Sequence, residues 1–293
     1  MRRRFHTLDV FTDQALAGNP LAVVQDADDL DTARMQAIAR EFNLSETVFV
    51  LAPRDPVNSA RIRIFTPGRE LPFAGHPTVG TAVLLAELRA PEIVARQDLS
   101  VVLEEDVGLV HCTARRVKGR SRASFTLPRL PEEVGQPLPD AALAAALSID
   151  EVEIGVDRHR PTLISAGVPY TLVPLASVAA VDRAWPDLGR WPNDLRVYAY
   201  TRDDGSGFYA RMFAAGLGIY EDPATGSAAA AFAGAVMRFE APEDGDHTVL
   251  IRQGVAMGRP SLIVLGLEVA GGALASASIG GGAVIVSEGT VDL

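Results

Sequence analysis

Arg63-Ile64-Phe65-Thr66-Pro67-Gly68, followed by Gly75-His76, returns later in the chain as Arg211-Met212-Phe213-Ala214-Ala215-Gly216, followed by Gly226-Ser227. Upstream, Ala17-Gly18-Asn19-Pro20 opens the apolar run Leu21-Ala22-Val23-Val24, and Ala166-Gly167-Val168-Pro169 opens Tyr170-Thr171-Leu172-Val173. The offsets are 149 (17 to 166), 148 (63 to 211) and 151 (75 to 226). Three matches in order at a nearly constant offset read as an internal duplication. At 293 residues the chain is also long for a single core, so two domains are expected.

Each half carries the local signals of sheet plus helix. Residues 61–65 and 208–213 are short runs rich in β-branched or aromatic residues and read as strands, as do 21–24, 47–51, 107–112 and 248–252. Asp31 and Thr32 supply an N-cap for a helix whose apolar face is Met35, Ile38, Ala39 and Phe42. A second helix starts after His76, with Pro77 in its first turn and Val79, Ala82, Val83 and Ala86 as its buried stripe. A third runs from Ser227 to about Met237, and its run of alanines suggests close backbone packing. The Arg-rich stretch 114–124, with Gly119, reads as the linker, which divides the chain into residues 1–117 and 118–282. Gly271-Gly272 and Gly280-Gly281-Gly282 read as hairpin turns, since neither fits a nucleotide-binding fingerprint.

Composition excludes several classes. A formal net charge of −10 disfavours nucleic acid as a partner. No apolar run approaches the ~20 residues of a membrane span. Phe5-His6-Thr7-Leu8-Asp9 follows the basic start instead of an apolar leader segment, so a cytoplasmic protein is expected. Cys112, the single cysteine, can form no intrachain disulfide and reads as a small core residue. The five histidines show no paired ligand spacing, so no metal is expected.

In each half a strand and a loop lead to a glycine and a polar residue at a helix start. The first turn of a helix leaves backbone N–H groups unpaired and carries a partial positive charge, and glycine lets a ligand approach closely. Two such ends facing one cleft would hold a carboxylate or enolate-like oxygen; ordinary capping by His76 and Ser227 is the competing reading. Chemistry needs groups that the repeat does not explain. Glu46 enters the strand after Asn43-Leu44-Ser45, while its counterpart by offset lies near the apolar Leu195. Glu221 and Asp222 stand where the first half has Leu71-Pro72-Phe73. A carboxylate entering an apolar strand is either a surface group or a buried acid suited to proton transfer.

Gly18-Asn19-Pro20-Leu21-Ala22-Val23-Val24, Asn43-Leu44-Ser45-Glu46-Thr47, Phe73-Ala74-Gly75-His76-Pro77-Thr78 and Glu221-Asp222-Pro223-Ala224-Thr225-Gly226-Ser227-Ala228 resemble the signature segments of the PhzF (phenazine biosynthesis isomerase-like) family. Gln253-Gly254 and Met257-Gly258-Arg259-Pro260-Ser261 extend the resemblance to the C-terminal region. It implies an α+β chain of two pseudo-symmetric domains with the diaminopimelate epimerase-like fold. Each would be a curved, mostly antiparallel sheet around a central helix, and residues from about 283 to 293 would return to complete the first domain. Carried over, Glu46 would be the proton-transferring acid/base, with His76 and Asp222 binding substrate and assisting. Gly75, Gly226 and Ser227 would hold the polar groups of a small carboxylic acid. The resemblance also implies no organic cofactor or metal and a homodimer. Racemase relatives use two cysteines, and here those places hold Ala74 and Thr225. What remains is a proton shift on an unsaturated or cyclic acid. The alternatives are a binding protein on the same fold and a hydrolase using Ser227, which lacks the Gly-X-Ser-X-Gly elbow.

Overall fold

A computed structural model describes residues 2–203 and 207–292 of the chain. Its contacts gather into two units, Met1–Pro128 with Gly280–Leu293, and Arg129–Ile279. The architecture is α+β and strand-rich.

The first unit contains β1 (Arg2–Val10), β2 (Asn19–Val24), α1 (Thr32–Phe42), β3 (Glu46–Leu51), β4 (Ala60–Phe65) and β5 (Glu70–Leu71). These are followed by α2 (Gly75–Arg89), α3 (Pro91–Val94), β6 (Leu99–Glu105), β7 (Gly108–Val117) and β8 (Arg120–Thr126). β1 and β2 pair antiparallel, β2 and β3 parallel, β3 and β4 antiparallel. β4 then pairs antiparallel with the short β5 and parallel with β6, and β6, β7 and β8 form an antiparallel meander.

The second unit repeats that order. It holds β9 (Glu132–Gly135), α4 (Asp140–Leu147), β10 (Thr162–Ser165), β11 (Pro169–Pro174), α5 (Val178–Arg183), β12 (Val197–Arg202), β13 (Phe208–Ala214) and β14 (Ile219–Asp222). α6 (Gly226–Glu240), β15 (Gly245–Gln253), β16 (Ser261–Ala270) and the long β17 (Ala273–Asp292) complete it. β10–β11, β11–β12, β12–β13, β13–β14, β13–β15 and β15–β16 pair in the same senses as their first-unit equivalents. β17 then passes into the first unit, where it lies antiparallel to β1 from Val10–Ala283 to Arg2–Asp292.

Local chemistry explains the helices. Asp31 caps α1 by accepting from the Arg34 N–H at 2.7 Å, and Met35, Ile38 and Ala39 pack with Phe49, Leu51 and Phe65. α2 carries no single buried stripe. From Gly75 to Ala86 it is buried on every side, as a helix enclosed by strands must be. It packs on β1, β2, β3, β6, β7 and β8. Gly80 has no room for a side chain, because a Cβ there would meet Leu21 and Val10 within 2.7 Å. α6 holds the matching place in its unit, against β9, β10, β11 and β16, with Ala228–Ala231 and Ala233 buried.

Two expectations are corrected. The Arg-rich stretch 114–124 is no linker but the β7–β8 hairpin, with Val117 opposite Arg120. The boundary expected at 117/118 therefore falls in a turn, and the crossing between units comes at Pro128/Arg129. Arg115, Arg116, Arg120 and Arg122 are polar residues of these two strands that pair with Asp98, Glu87 and Asp13, where a linker reading took their polarity for a connection between domains. Gly280 and Gly282 lie inside β17, not in a turn. A Cβ on Gly280 would press on Ser124 and one on Gly282 on Thr12, so glycine serves close strand approach.

One ion pair occurs twice. Arg63 on β4 makes two hydrogen bonds to Glu70 on β5, each 2.6 Å, and Arg211 on β13 makes two to Glu221 on β14, each 2.8 Å. The second pair is far more buried, with side chains 4% and 6% exposed against 25% and 29%. Glu221→Gln should therefore destabilise the protein by about 3–5 kcal/mol in urea unfolding, because it strands a buried guanidinium. Glu70→Gln should cost about 1 kcal/mol or less. Equal losses would refute the burial argument.

Candidate active site

α1 ends with Asn43 in the left-handed conformation (φ 50°), which turns the chain into β3 with Glu46 as its first residue. Side chains alternate along a strand, and Phe49 and Leu51 pack against α1, so Glu46 shares the opposite face with Val48 and Val50. That face meets α2. His76, at the start of α2, is buried, and its Nε2 lies 3.4 Å from Glu46 Oε2 without closing to a hydrogen bond. The imidazole bonds the Pro20 carbonyl instead. Burial pulls its pKa from 6.5 down to about 3, against the smaller opposing effect of that bond. The ring is thus neutral at physiological pH. The contact with Glu46 is no ion pair: the nitrogen proton serves Pro20 and the Nε2 lone pair faces the carboxyl group.

In the second unit Asp222 ends β14, one residue past the Glu221 that Arg211 holds. Its Oδ2 accepts from Thr225 Oγ1 at 2.5 Å. Gln253, fully buried on β15, clamps the same loop: Nε2 donates to the Asp222 carbonyl (2.8 Å) and to Thr225 Oγ1 (3.1 Å), and Oε1 accepts from the Thr225 N–H (3.2 Å). Gly254 beside it has φ +74°, and a Cβ there would meet the Pro223 and Arg259 carbonyls at 2.5 Å, so only glycine fits. Among the described residues no side chain caps the N-terminus of α2 or of α6. Ser227 Oγ bonds the Tyr170 hydroxyl at 2.8 Å. Gly75 and Gly226 are the first residues of α2 and α6, and neither His76 nor Ser227 caps its helix by a side-chain bond.

A serine nucleophile gains no base within its own unit. His159 is engaged with Tyr200 and Glu240, and His247 with the Glu243 carbonyl. Among the described residues no group of three or more His, Cys, Asp or Glu could hold a metal ion, and no helix is long and apolar enough to cross a membrane.

Strand register corrects the counterpart of Glu46. Thr47 pairs with Phe65, and Val197 pairs with Phe213, so Glu46 corresponds to Arg196 and not to the neighbourhood of an apolar Leu195. The offset drifts by one residue between the repeats, and fixed subtraction missed it. Asp222 pairs with Met212 as Leu71 pairs with Ile64, so Asp222 replaces a leucine. The carboxylates Glu46 and Asp222 thus occupy different repeat positions.

Residues 8–289 match the family model described as phenazine biosynthesis-like protein. The chain belongs to this family. It is 37% identical, over 98% of both chains, to a trans-2,3-dihydro-3-hydroxyanthranilate isomerase of Pseudomonas aeruginosa. It is 50% identical, again over 98% of both, to an uncharacterized isomerase of Mesorhizobium japonicum. Among solved structures, a PhzF-family phenazine biosynthesis protein of Bacillus anthracis superposes with a TM-score of 0.86 at 25% identity, covering 100% of each chain. The PhzF-like chain is accordingly an isomerase.

Sequence reading of this PhzF-like chain missed Tyr170 and the clamping role of Gln253. Gln253 stood in a recognised segment, but its partners lie 28 or more residues away in sequence. Tyr170 sits in a repeated apolar run, where only its hydroxyl set it apart. The neutrality of His76 is testable: its ring nitrogens, followed by ¹⁵N NMR, should show no protonation from pH 9 down to pH 5. Because the folded pKa is depressed, the unfolded chain binds the extra proton, so stability should fall as pH drops from about 6.5 toward 3. Titration of His76 near 6.5 would contradict the assignment.

Proposed function

We propose that this chain is a cofactor-independent isomerase that shifts a proton between two carbons of a small unsaturated or cyclic carboxylic acid. Glu46 carries that proton. The observation that carries this reading is Glu46 beside a neutral His76 whose Nε2 lone pair has no hydrogen. As a carboxylate, Glu46 takes a proton from carbon while the electron pair moves into the conjugated system. Once protonated, its O–H has a ready acceptor in His76 Nε2, and the acid then returns the proton to the second carbon. No atom is gained or lost overall, and one carboxyl group serves as base and acid in turn.

The negative charge that develops in the conjugated acid needs donors in place before the reaction. The open amides at Gly75 and Gly226 and the Ser227 hydroxyl supply them, with Asp222 held by Thr225 to accept from a substrate amine or hydroxyl. The relative that isomerises dihydro-hydroxyanthranilate gives the substrate class: an amino or hydroxy acid with a double bond next to the migrating proton.

The test is solvent-deuterium incorporation, by mass spectrometry, into a panel of such acids that includes trans-2,3-dihydro-3-hydroxyanthranilate. Glu46→Gln should lower incorporation by about 10²–10⁴-fold while ligand binding persists. Incorporation undiminished in that variant would refute the role of Glu46.

A further inference from the structure

We propose that Glu105 is a neutral carboxylic acid that donates its proton to Thr78 and so fixes the first turn of α2, on which His76 stands. The inference goes beyond the proposed reaction and needs no substrate. Thr78 Oγ1 lies 2.8 Å from the Ala74 carbonyl oxygen and 2.8 Å from Glu105 Oε1. A hydroxyl has one proton, and neither a carbonyl nor a carboxylate has any to give. Both contacts are full two-centre hydrogen bonds only if Thr78 donates to Ala74 and Glu105 donates to Thr78. Glu105 Oε2 is buried with no partner, which a carbonyl oxygen tolerates far better than half of a carboxylate.

The duplicated half supplies an internal comparison. Ala60 pairs with Leu103 as Phe208 pairs with Ile251, so Glu105 and Gln253, two residues further on, occupy the same place. There the Gln253 amide donates to the Thr225 hydroxyl. An ionised glutamate could not make that donation, whereas a protonated one reproduces it. Each half therefore sets a neutral hydrogen-bond donor beneath the chain entering its central helix.

The surroundings agree. α2 presents Thr78 to the carboxyl group, and β7 presents Cys112, whose thiol is pushed up first by burial and then by Glu105. Arg61 on β4 pairs in register with Glu104 and so lies on the other face. Ala123 and Phe125 of β8 are buried and uncharged. Glu104 shows the contrast: it accepts from the Asn58 side chain and the Asp55 and Arg54 N–H groups, which pull it down to about 2. One residue on, burial outweighs the Thr78 bond and pushes Glu105 up to about 8. Because the folded pKa is raised, the fold holds this proton more tightly than the unfolded chain. The associated stability is complete below about 4.5 and is lost as pH rises through about 8.

Neutron diffraction from wild-type crystals at neutral pH should show a deuteron on Glu105 directed at Thr78, and the Thr78 deuteron directed at Ala74. A Glu105 carboxyl without a deuteron would overturn the proposal. Thermal unfolding supplies the second arm. Glu105→Gln should melt above wild type at pH 8, with the margin shrinking toward pH 5, and Glu105→Ala should melt below both. The His76 ¹⁵N resonances should move in Glu105→Ala and return to their wild-type positions in Glu105→Gln. A Gln variant that folds yet melts below wild type at pH 8, or a margin independent of pH, would refute it. Should that variant not fold, the neutron map decides alone.

Discussion

The Arg–Glu pair that occurs once in each half governs how the chain is delivered to its functional helices. β5 and β14 are too short to hold themselves in a sheet by backbone bonds, at two and four residues. Each is fastened by a bidentate guanidinium–carboxylate fork to the long strand beside it. The guanidinium also lies over the phenylalanine two residues on, Arg63 over Phe65 and Arg211 over Phe213. Both phenylalanines belong to the cores beneath. In the second half Arg211 further donates to the carbonyls of Val181, Asp182 and Ala184, tying the end of α5 to the same point. A buried ion pair is a weak source of stability compared with apolar packing. Its worth here is directional, because the fork admits one register, and that register aims Asp222 and the glycine that starts α6.

On this shared backbone the two halves have diverged at a few positions, and the proposed chemistry draws on those positions. Glu46 corresponds in register to Arg196, Asp222 to Leu71, His76 to Ser227 and Glu105 to Gln253. The backbone pairing of the strands does not depend on the Glu46, Asp222 and His76 side chains, which left those positions free to change. The pair Glu105 and Gln253 shows the constraint that remained. Both positions must donate a hydrogen bond into the loop before the helix, and an amide and a protonated acid both satisfy it.

The fold was legible in the sequence because duplication prints the same punctuation twice. Gly18, Gly75, Gly226 and the Arg-X-Phe strands survive in both copies since each answers to backbone geometry or to the ion pair. The hairpin at 114–124 was not legible, because four arginines around Gly119 have the composition of a linker although Ala114, Ala123 and Phe125 on the same strands are buried. The site was legible in part. Glu46 and Asp222 stood out as departures from the repeat and His76 as the residue that opens a repeated helix, but their surroundings did not. The neutrality of His76 follows from burial by residues far away in sequence. The role of Gln253 depends on partners brought together by parallel pairing of β13 with β15. Pattern reading sees periodicity along the chain and misses contacts that the sheet creates across it.

Among the titratable groups near α2, the neutral ones are more telling than the charged. His76 is kept uncharged by burial, Glu105 by burial, and Cys112 by burial beside Glu105. A protonated histidine beside Glu46 would favour the carboxylate and oppose its taking a proton from carbon. A second ionised carboxylate beneath the helix start would weaken the positive end of the helix that a substrate anion requires. With both groups neutral, the helix end keeps its full attraction for an anion. Under the proposed reaction, neither His76 nor Glu105 then biases Glu46 toward one protonation state. For the reaction proposed here, a single acid that serves as base in one step and acid in the next needs that balance, and the burial of His76 and Glu105 contributes to it.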